Sequence, residues 1–321
     1  MSFEELSQID DFVNWNNIEE ILPKADETAY APLSADGGLP KGFVHLRLSP
    51  EPCAGTEKAY LAVNLKGEKL LVRTKPVKYY NSVRETAIFT DRIVTIGGVL
   101  TAEPREVGAC CDDTLVYSVY RWIDGVNLHS SLEKLPTPEK FRCGVKAGKL
   151  LKRLHSVAAE RPRADEKAPL RKAEALLKSF LDSGKAFKGS EAAVGAVEAE
   201  LAKAERSLLA DRPYTALHGD FHAERLFAAA SGELGLKPLH KGRYGDPAED
   251  FAAIFKNSHP AFMRGQLKGY FPDGVPGDFF GLMFVYSAMY AMKAAMGGET
   301  ALAEKISASY DGFSLKIPSW Y

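Results

Sequence analysis

The sequence lacks several features that would point to particular classes of protein. Its 321 residues contain only four cysteines and no C-x-x-C pair, so the usual cysteine motifs for zinc binding and dithiol redox chemistry are absent. No apolar run reaches the roughly 20 residues that a membrane helix needs, and the N-terminus, residues 1–5, has no signal-peptide pattern. The formal net charge of -1 gives no basic excess for nucleic acid or anionic lipid. We therefore expect a cytoplasmic protein without nucleic-acid or membrane partners.

What the chain does contain is an ordinary globular composition, with 45% apolar and 26% charged residues. Its first part is rich in strand signals, because apolar and polar residues alternate there. The pattern predicts an N-terminal extension at 1–41 and a small β-rich lobe at 42–121. Within that lobe we expect strands at 43–48, 59–64, 69–74, 100–107 and 114–122 and one helix at 77–93.

The remainder, 122–321, is predicted to be a larger and mainly helical lobe. A helix-start signal at Thr137, taken as the N-cap with Pro138 as the first helical residue, opens a helix that runs to about His155. Further helices are expected at 170–187, 190–209, 247–255 and 279–296. The last of these is strongly apolar but contains Lys293, and we interpret it as a buried core helix rather than a membrane span.

Two short motifs stand out in the larger part. The first, at 217–227, reads LHGDFHAERLF, a polar loop between two apolar pairs that is typical of a strand, a loop and a second strand. The second, at 245–251, reads GDPAEDF. In the segment that separates the two motifs, no acidic residue occurs from residue 234 to residue 245.

Together with the W-x-D-G segment at 120–125 and the A-G-x-L-L-x-x-L-H segment at 147–155, these motifs resemble the aminoglycoside phosphotransferase and choline kinase family. The resemblance covers about 43–321. It implies an α+β, two-lobed, protein-kinase-like fold. It also implies an ancestral reaction in which the γ-phosphate of ATP is transferred to the hydroxyl of a small-molecule substrate.

The resemblance assigns roles within the larger lobe. Asp220 matches the catalytic base for the substrate hydroxyl, and His218 matches a residue that shapes its loop. Arg225 occupies the place of a metal-binding Asn, and a guanidinium has no acceptor atom for a cation. The family's main metal-binding Asp is replaced by Pro238 or His240, depending on how the turn is aligned. ATP is thus implied as a cofactor, whereas the Mg²⁺ site has lost both of its usual ligands.

In the small lobe, Arg73 falls where the family has a phosphate-binding Lys, and Glu85 falls where that Lys finds its helix partner. Tyr120 and Trp122 belong to the linker whose backbone holds the adenine in the family. Basic residues can neutralise phosphate directly, so Arg73, Arg225 and His240 are candidate nucleotide contacts.

Asp246 and Asp250 are predicted to have structural roles. We expect Asp246 to cap the following helix and Asp250 to hold the catalytic loop by hydrogen bonds. The leading hypothesis is a pseudokinase that keeps the fold and binds a nucleotide. The alternatives are an active small-molecule kinase, with Glu224 as the best replacement metal ligand and Asp246 as another, and a non-catalytic ligand-binding or interaction module.

Overall fold

The computed structural model describes residues 43–48, 57–64, 68–110, 113–159, 167–239, 241–256, 259–310, 313, 317–318 and 321. The predicted N-terminal extension, the loop at 50–56 and His240 lie outside these described residues. Contacts divide the chain into two units. One contains the described residues up to Ser131 together with Leu226–Gly242, and the other contains Leu132–Arg225 and Arg243–Tyr321.

The strands follow the alternating segments of the sequence. They are β1 (Phe43–Leu48), β2 (Lys58–Asn64), β3 (Lys69–Pro76), β4 (Pro104–Cys110), β5 (Leu115–Arg121), β6 (Gly125–Asn127), β7 (Thr215–Leu217), β8 (Leu226–Ala229), β9 (Leu234–Leu236) and β10 (Arg243–Gly245). The first five form one antiparallel sheet in the order β1-β2-β3-β5-β4. This sheet confirms the strands that the sequence predicted, except that β4 begins later and extends to Cys110.

The helices are α1 (Tyr80–Thr95), α2 (Leu128–Leu132), α3 (Thr137–His155), α4 (Ala168–Asp182), α5 (Ser190–Leu201), α6 (Pro260–Tyr270), α7 (Phe279–Met296) and α8 (Thr300–Ser309). The helix expected at 190–209 is shorter than predicted, and the one expected at 247–255 is a 3₁₀ helix, Pro247–Ala253. Thr137 is not the N-cap of α3. It is the first helical residue, and Pro136 occupies the cap position.

In the first unit, α1 has a broad buried stripe that consists of Val83, Thr86, Ala87, Phe89, Thr90 and Ile93. A smaller sheet, in the order β6-β8-β9, joins two distant parts of the sequence. The backbone N–H of Leu236 in β9 donates to the carbonyl of Leu100 at 2.8 Å, so this hairpin is fixed to the segment before β4.

In the second unit, α3 and α6 pack at very short range because each carries two glycines four residues apart. A Cβ added at Gly144 or Gly148 of α3 would lie about 2 Å from a backbone oxygen of α6, at 2.1 and 2.0 Å. The same holds in the opposite direction for Gly265 and Gly269, each at 2.1 Å from a backbone oxygen of α3. Only glycine allows this contact, which places His155 at the end of α3 against α6.

The apolar helix α7 is the single candidate for a membrane span by length and composition among the described residues, and 78% of its apolar window is buried within the protein. Burial of this extent is typical of a core helix. Its length of 18 residues and its packing match the sequence prediction for 279–296.

Candidate active site

The catalytic-type loop of the second unit follows directly after a short strand. β7 pairs antiparallel with β10, so Leu217 lies opposite Arg243 and the chain leaves the sheet at His218. Gly219 has φ +87, a conformation that side chains with a Cβ rarely adopt. A Cβ there would also meet the Nε atom of Arg243 at 2.7 Å. Glycine is therefore needed both for the turn and for the close approach of Arg243.

Asp250 holds this loop in place. Its two carboxylate oxygens accept the backbone N–H groups of His218 at 2.8 Å and of Gly219 at 2.5 Å. The ring Nε2 of His155 lies 3.0 Å from the same carboxylate, and its Nδ1 lies 2.8 Å from the Tyr270 hydroxyl. Burial opposes ionisation of Asp250, but the hydrogen bond and charge of His155 and the contacts with His218 lower its pKa. The structural role predicted for Asp250 is confirmed by these contacts.

Asp246 is also structural. Its side chain caps the 3₁₀ helix by accepting the N–H of Ala248 at 3.0 Å. It also accepts hydrogen bonds from Arg212, at 2.7 Å from Nε, and from the Tyr286 hydroxyl at 2.9 Å. The residue is fully buried. Its oxygens are thus engaged within the protein, which argues against Asp246 as a replacement metal ligand.

His218 orients the backbone of the loop. Its Nδ1 accepts the N–H of Asp220 at 3.2 Å, which requires an unprotonated Nδ1. Burial lowers the pKa of His218 to about 4, against the charges of Asp250 and Asp220, which raise it. The imidazole is therefore neutral at pH 7.

Asp220 lies at the centre of a set of cationic and hydrogen-bonding groups. One oxygen, Oδ2, lies 3.3 Å from His222 Nε2, 3.1 Å from Arg225 Nη2 and 3.7 Å from Lys256 Nζ. Burial alone would raise the pKa of Asp220, but the hydrogen bond and charge of His222 and the charges of Lys256 and Arg225 hold it well below its usual range. The other oxygen, Oδ1, is buried and accepts no hydrogen bond from the part of the chain that the structure describes.

Arg225 ends the short 3₁₀ helix Ala223–Arg225 that follows the loop. Its guanidinium turns back onto Asp220, since Nε also donates to Oδ2 at 3.2 Å. Glu224 is half-buried on the same turn. Within the described ranges, no group of three or more His, Cys, Asp or Glu side chains is arranged to hold a metal ion. A divalent cation beside Asp220 would lie close to the positive charges of Arg225 and Lys256.

In the first unit, Arg73 of β3 is buried and paired with Glu57, which also contacts Lys75 Nζ at 3.1 Å. Its Nη1 donates to the backbone carbonyl of Leu239 at 2.7 Å. The predicted partner, Glu85, is instead exposed on α1. The expected pairing of Arg73 with Glu85 is therefore corrected: periodicity turns Glu85 to solvent, whereas the chain entering β2 brings Glu57 to Arg73.

A small pocket opens beside this ion pair. It is lined by Glu57, Arg73, Thr74, Lys75, Val83, Thr86, Ser118, Tyr120 and Leu239. Tyr120 is almost fully buried and packs with Ala59, Leu71 and Ala102, and burial raises the pKa of its hydroxyl. The structure thus brings Arg73 and Tyr120 together. The sequence did not single out Glu57, and a lone Glu at the end of a loop carries no signal that could have found it.

The linker after β5 is attached to β3 of the five-stranded sheet. The backbone N–H of Trp122 donates to the carbonyl of Lys69 at 3.3 Å, and its ring Nε1 donates to Asp124 at 3.0 Å. Pro238, one of the two candidates for the missing metal-binding position, is half-buried next to Leu239. The roles of Trp122 and Tyr120 in adenine binding stay predictions.

The order of the elements and this loop are those of a kinase-like phosphotransferase. The sequence profile of the phosphotransferase enzyme family matches residues 54–280, well over half of the chain. The chain therefore belongs to this family, as the resemblance indicated. Among curated proteins, no sequence matches the chain significantly.

Solved structures show the same fold at low sequence identity. An aminoglycoside 2'-phosphotransferase in its GDP complex is 12% identical, with a TM-score of 0.62, over 89% of this chain and 97% of that one. A macrolide 2'-phosphotransferase of type I is 15% identical, with a TM-score of 0.61, over 87% and 95%. Choline kinase from Streptococcus pneumoniae is 14% identical, with a TM-score of 0.56, over 94% and 100%. The chain therefore has the protein-kinase-like fold, with a small antiparallel sheet lobe carrying one helix and a larger, mainly helical lobe.

Proposed function

We propose that this protein is a pseudokinase of the phosphotransferase family, which keeps the fold and the catalytic Asp but transfers phosphate from MgATP inefficiently. The observation that carries the proposal is the contact of Arg225 with Asp220, through Nε at 3.2 Å and Nη2 at 3.1 Å. Arg225 stands where the family has an Asn that binds metal. A guanidinium cannot ligate a cation, and here it is bound to the expected base.

The positive charge around Asp220 affects both proton acceptance by Asp220 and the binding of a metal ion. The hydrogen bond and charge of His222 and then the charges of Lys256 and Arg225 outweigh burial, so the pKa of Asp220 lies well below its usual range and the group is a weaker proton acceptor. The same cations repel a divalent ion. Phosphoryl transfer depends on metal ions that bridge the phosphates and neutralise their charge. Both effects oppose the reaction.

The contacts of Arg73 support the same proposal from the first unit. Its guanidinium is buried against Glu57 and donates to the Leu239 carbonyl, so these donors are already engaged within the protein. A phosphate would have to compete with the buried carboxylate of Glu57. Nucleotide binding, for which the GDP complex of one structural neighbour is a precedent, would therefore rely on other groups.

The second candidate function is an active kinase for a small-molecule hydroxyl. It is favoured by Oδ1 of Asp220, which is buried and accepts no hydrogen bond from the described residues, because such an oxygen can receive a substrate hydroxyl. This reading needs replacement metal ligands. Asp246 is committed to Arg212 and Tyr286, which leaves Glu224 as the carboxylate to test.

Thermal unfolding with ATP, with MgATP and with Mg²⁺ alone separates the two functions, because a ligand of the folded state raises the midpoint. For the pseudokinase we expect no shift that requires Mg²⁺. The combination of Arg225→Asn with Pro238→Asp or His240→Asp should create such a shift, whereas Arg206→Asn, an exposed arginine change, should not. A Mg²⁺-dependent shift of the wild type, with turnover that Asp220→Ala abolishes, would refute the proposal.

A further inference from the structure

Two carboxylates at or beside the catalytic-type loop are each shared by two cationic side chains. On one side, a single oxygen of Glu249, Oε2, lies 2.7 Å from Lys172 Nζ and 3.0 Å from Arg243 Nη1. On the other side, a single oxygen of Asp220 is shared by Arg225 and Lys256, at 3.1 and 3.7 Å. Each carboxylate therefore faces two cationic side chains.

Lys293 adds a further cation beside Glu249. It belongs to α7 and its side chain reaches the protein surface. Burial and the charges of Lys172 and Arg243 lower its pKa, and Glu249 is the group that opposes them. Lys172 and Arg243 thus share one carboxylate oxygen, with Lys293 in the same neighbourhood, and a bound anion would relieve the repulsion among these three cations.

This cluster adjoins the loop itself. Arg243 lies against Gly219, where a Cβ would meet its Nε at 2.7 Å. Tyr290, one helical turn before Lys293 on α7, lies near Asp220: burial first, then the charges of Asp220 and Glu299, raise its pKa to about 12. The cations around the loop are thus Lys172, Arg225, Arg243, Lys256 and Lys293, and the carboxylates are Asp220, Glu249, Glu299, Glu224 and Asp250, the last of which accepts the backbone N–H groups of the loop.

We propose that the second unit binds an anionic small molecule, with a phosphate or carboxylate group on Lys172, Arg243 and Lys293 beside the Gly219–Asp220 turn. An aminoglycoside or choline is a cation, and this surface disfavours both. The inference rests on the proposed function only because it takes the loop at Gly219–Asp220 to be the catalytic loop of the family. If transfer does occur, the acceptor is an anionic hydroxyl compound.

The test uses the full chain without nucleotide, so its failure leaves the proposed function untouched. Thermal unfolding is followed in increasing inorganic phosphate and in increasing acetate, each against NaCl at the same ionic strength. This comparison separates a phosphate site from a carboxylate site and from salt screening. We expect a saturable rise of the midpoint with at least one of the two anions.

Lys293→Gln should weaken that response at least tenfold in apparent Kd, whereas Lys305→Gln, the same change on the exposed face of α8, should leave it unchanged. Without anion, Lys293→Gln should unfold no lower than the wild type, because it removes repulsion. Lys172→Gln provides a second weakening variant. Equal responses of all variants, no excess over NaCl, or a lower midpoint of Lys293→Gln without anion would each overturn the proposal.

Discussion

The buried ion pair between Glu57 and Arg73 gives a prediction with a definite magnitude. Glu57→Gln keeps the shape of the side chain but removes its charge. The side chains of Arg73 and Glu57 are only 8% and 3% exposed, so water cannot replace the lost partner. Removing one member of a buried pair costs about 3–5 kcal/mol, because the other charge stays buried. We expect a loss of this size in the free energy of unfolding.

Lys69 and Asp124 provide the matched control in the same unit. Their ion pair measures 3.4 Å, and their side chains are 35% and 37% exposed. Exposed pairs contribute about 0–1 kcal/mol, because water and salt screen them. Asp124→Asn should therefore change the free energy of unfolding by no more than about 1 kcal/mol, and Asn still accepts the hydrogen bond from Trp122.

The assay is urea denaturation, with the slope on denaturant checked for each variant. The double variant Glu57→Gln/Arg73→Met should be less destabilised than the sum of its single variants, because the removal of both charges leaves less buried charge unpaired. If Glu57→Gln costs as little as Asp124→Asn, the pair is not a structural link. Glu57 would then not compete effectively with a phosphate for Arg73, and one support of the pseudokinase proposal would be lost.

Two further predictions concern the second unit. Gly148→Ala should destabilise the protein by at least about 1–3 kcal/mol in urea, because the new Cβ would lie 2.0 Å from the Gln266 carbonyl oxygen. Gly195→Ala on α5 meets nothing within 4 Å and should stabilise by about 0.5–1 kcal/mol. Equal effects of the two changes would refute the close helix contact. Burial lowers the pKa of His218 from 6.5 to about 4 in the folded protein. Between these pH values the unfolded chain binds a proton at His218 that the folded protein does not, so the free energy of unfolding falls as pH drops from 6.5 towards 4. His218→Asn should make the free energy of unfolding depend less steeply on pH in this range, by up to about 1.4 kcal/mol per pH unit. His129→Gln serves as the control and should leave that slope unchanged. An unchanged slope in His218→Asn would contradict the neutral state of His218.

Much of the fold could be predicted from the sequence because it depends on local patterns. Alternation of apolar residues located the strands of the main sheet, the apolar face of 137–155 located α3, and the long apolar run at 279–296 located α7. The boundaries that failed lie where local signals compete. The Thr-Pro pair at 137–138 fits a cap, yet the helix begins one residue earlier than that pattern implies.

The candidate site was predicted only in part. Asp220, His218 and Arg225 meet in one loop, as their positions in a single motif require. The contact of Arg225 with Asp220 was not predicted, nor was the role of Lys256, which lies beyond the 3₁₀ helix. Sequence spacing predicts that a metal ligand is missing, but it does not show which side chain turns toward Asp220.

The sequence by itself determined the family and the order of the elements, because motifs and periodicity are properties of neighbouring residues, and it predicts the loss of the usual metal ligands. Tertiary structure decided the partners of each charge. Glu57 rather than Glu85 pairs with Arg73, because β2 and β3 are antiparallel neighbours while Glu85 lies on the solvent face of α1. Likewise, Lys172 and Arg243 meet at Glu249 from distant parts of the chain. Charge pairing depends on distance and burial in space, which no local pattern encodes.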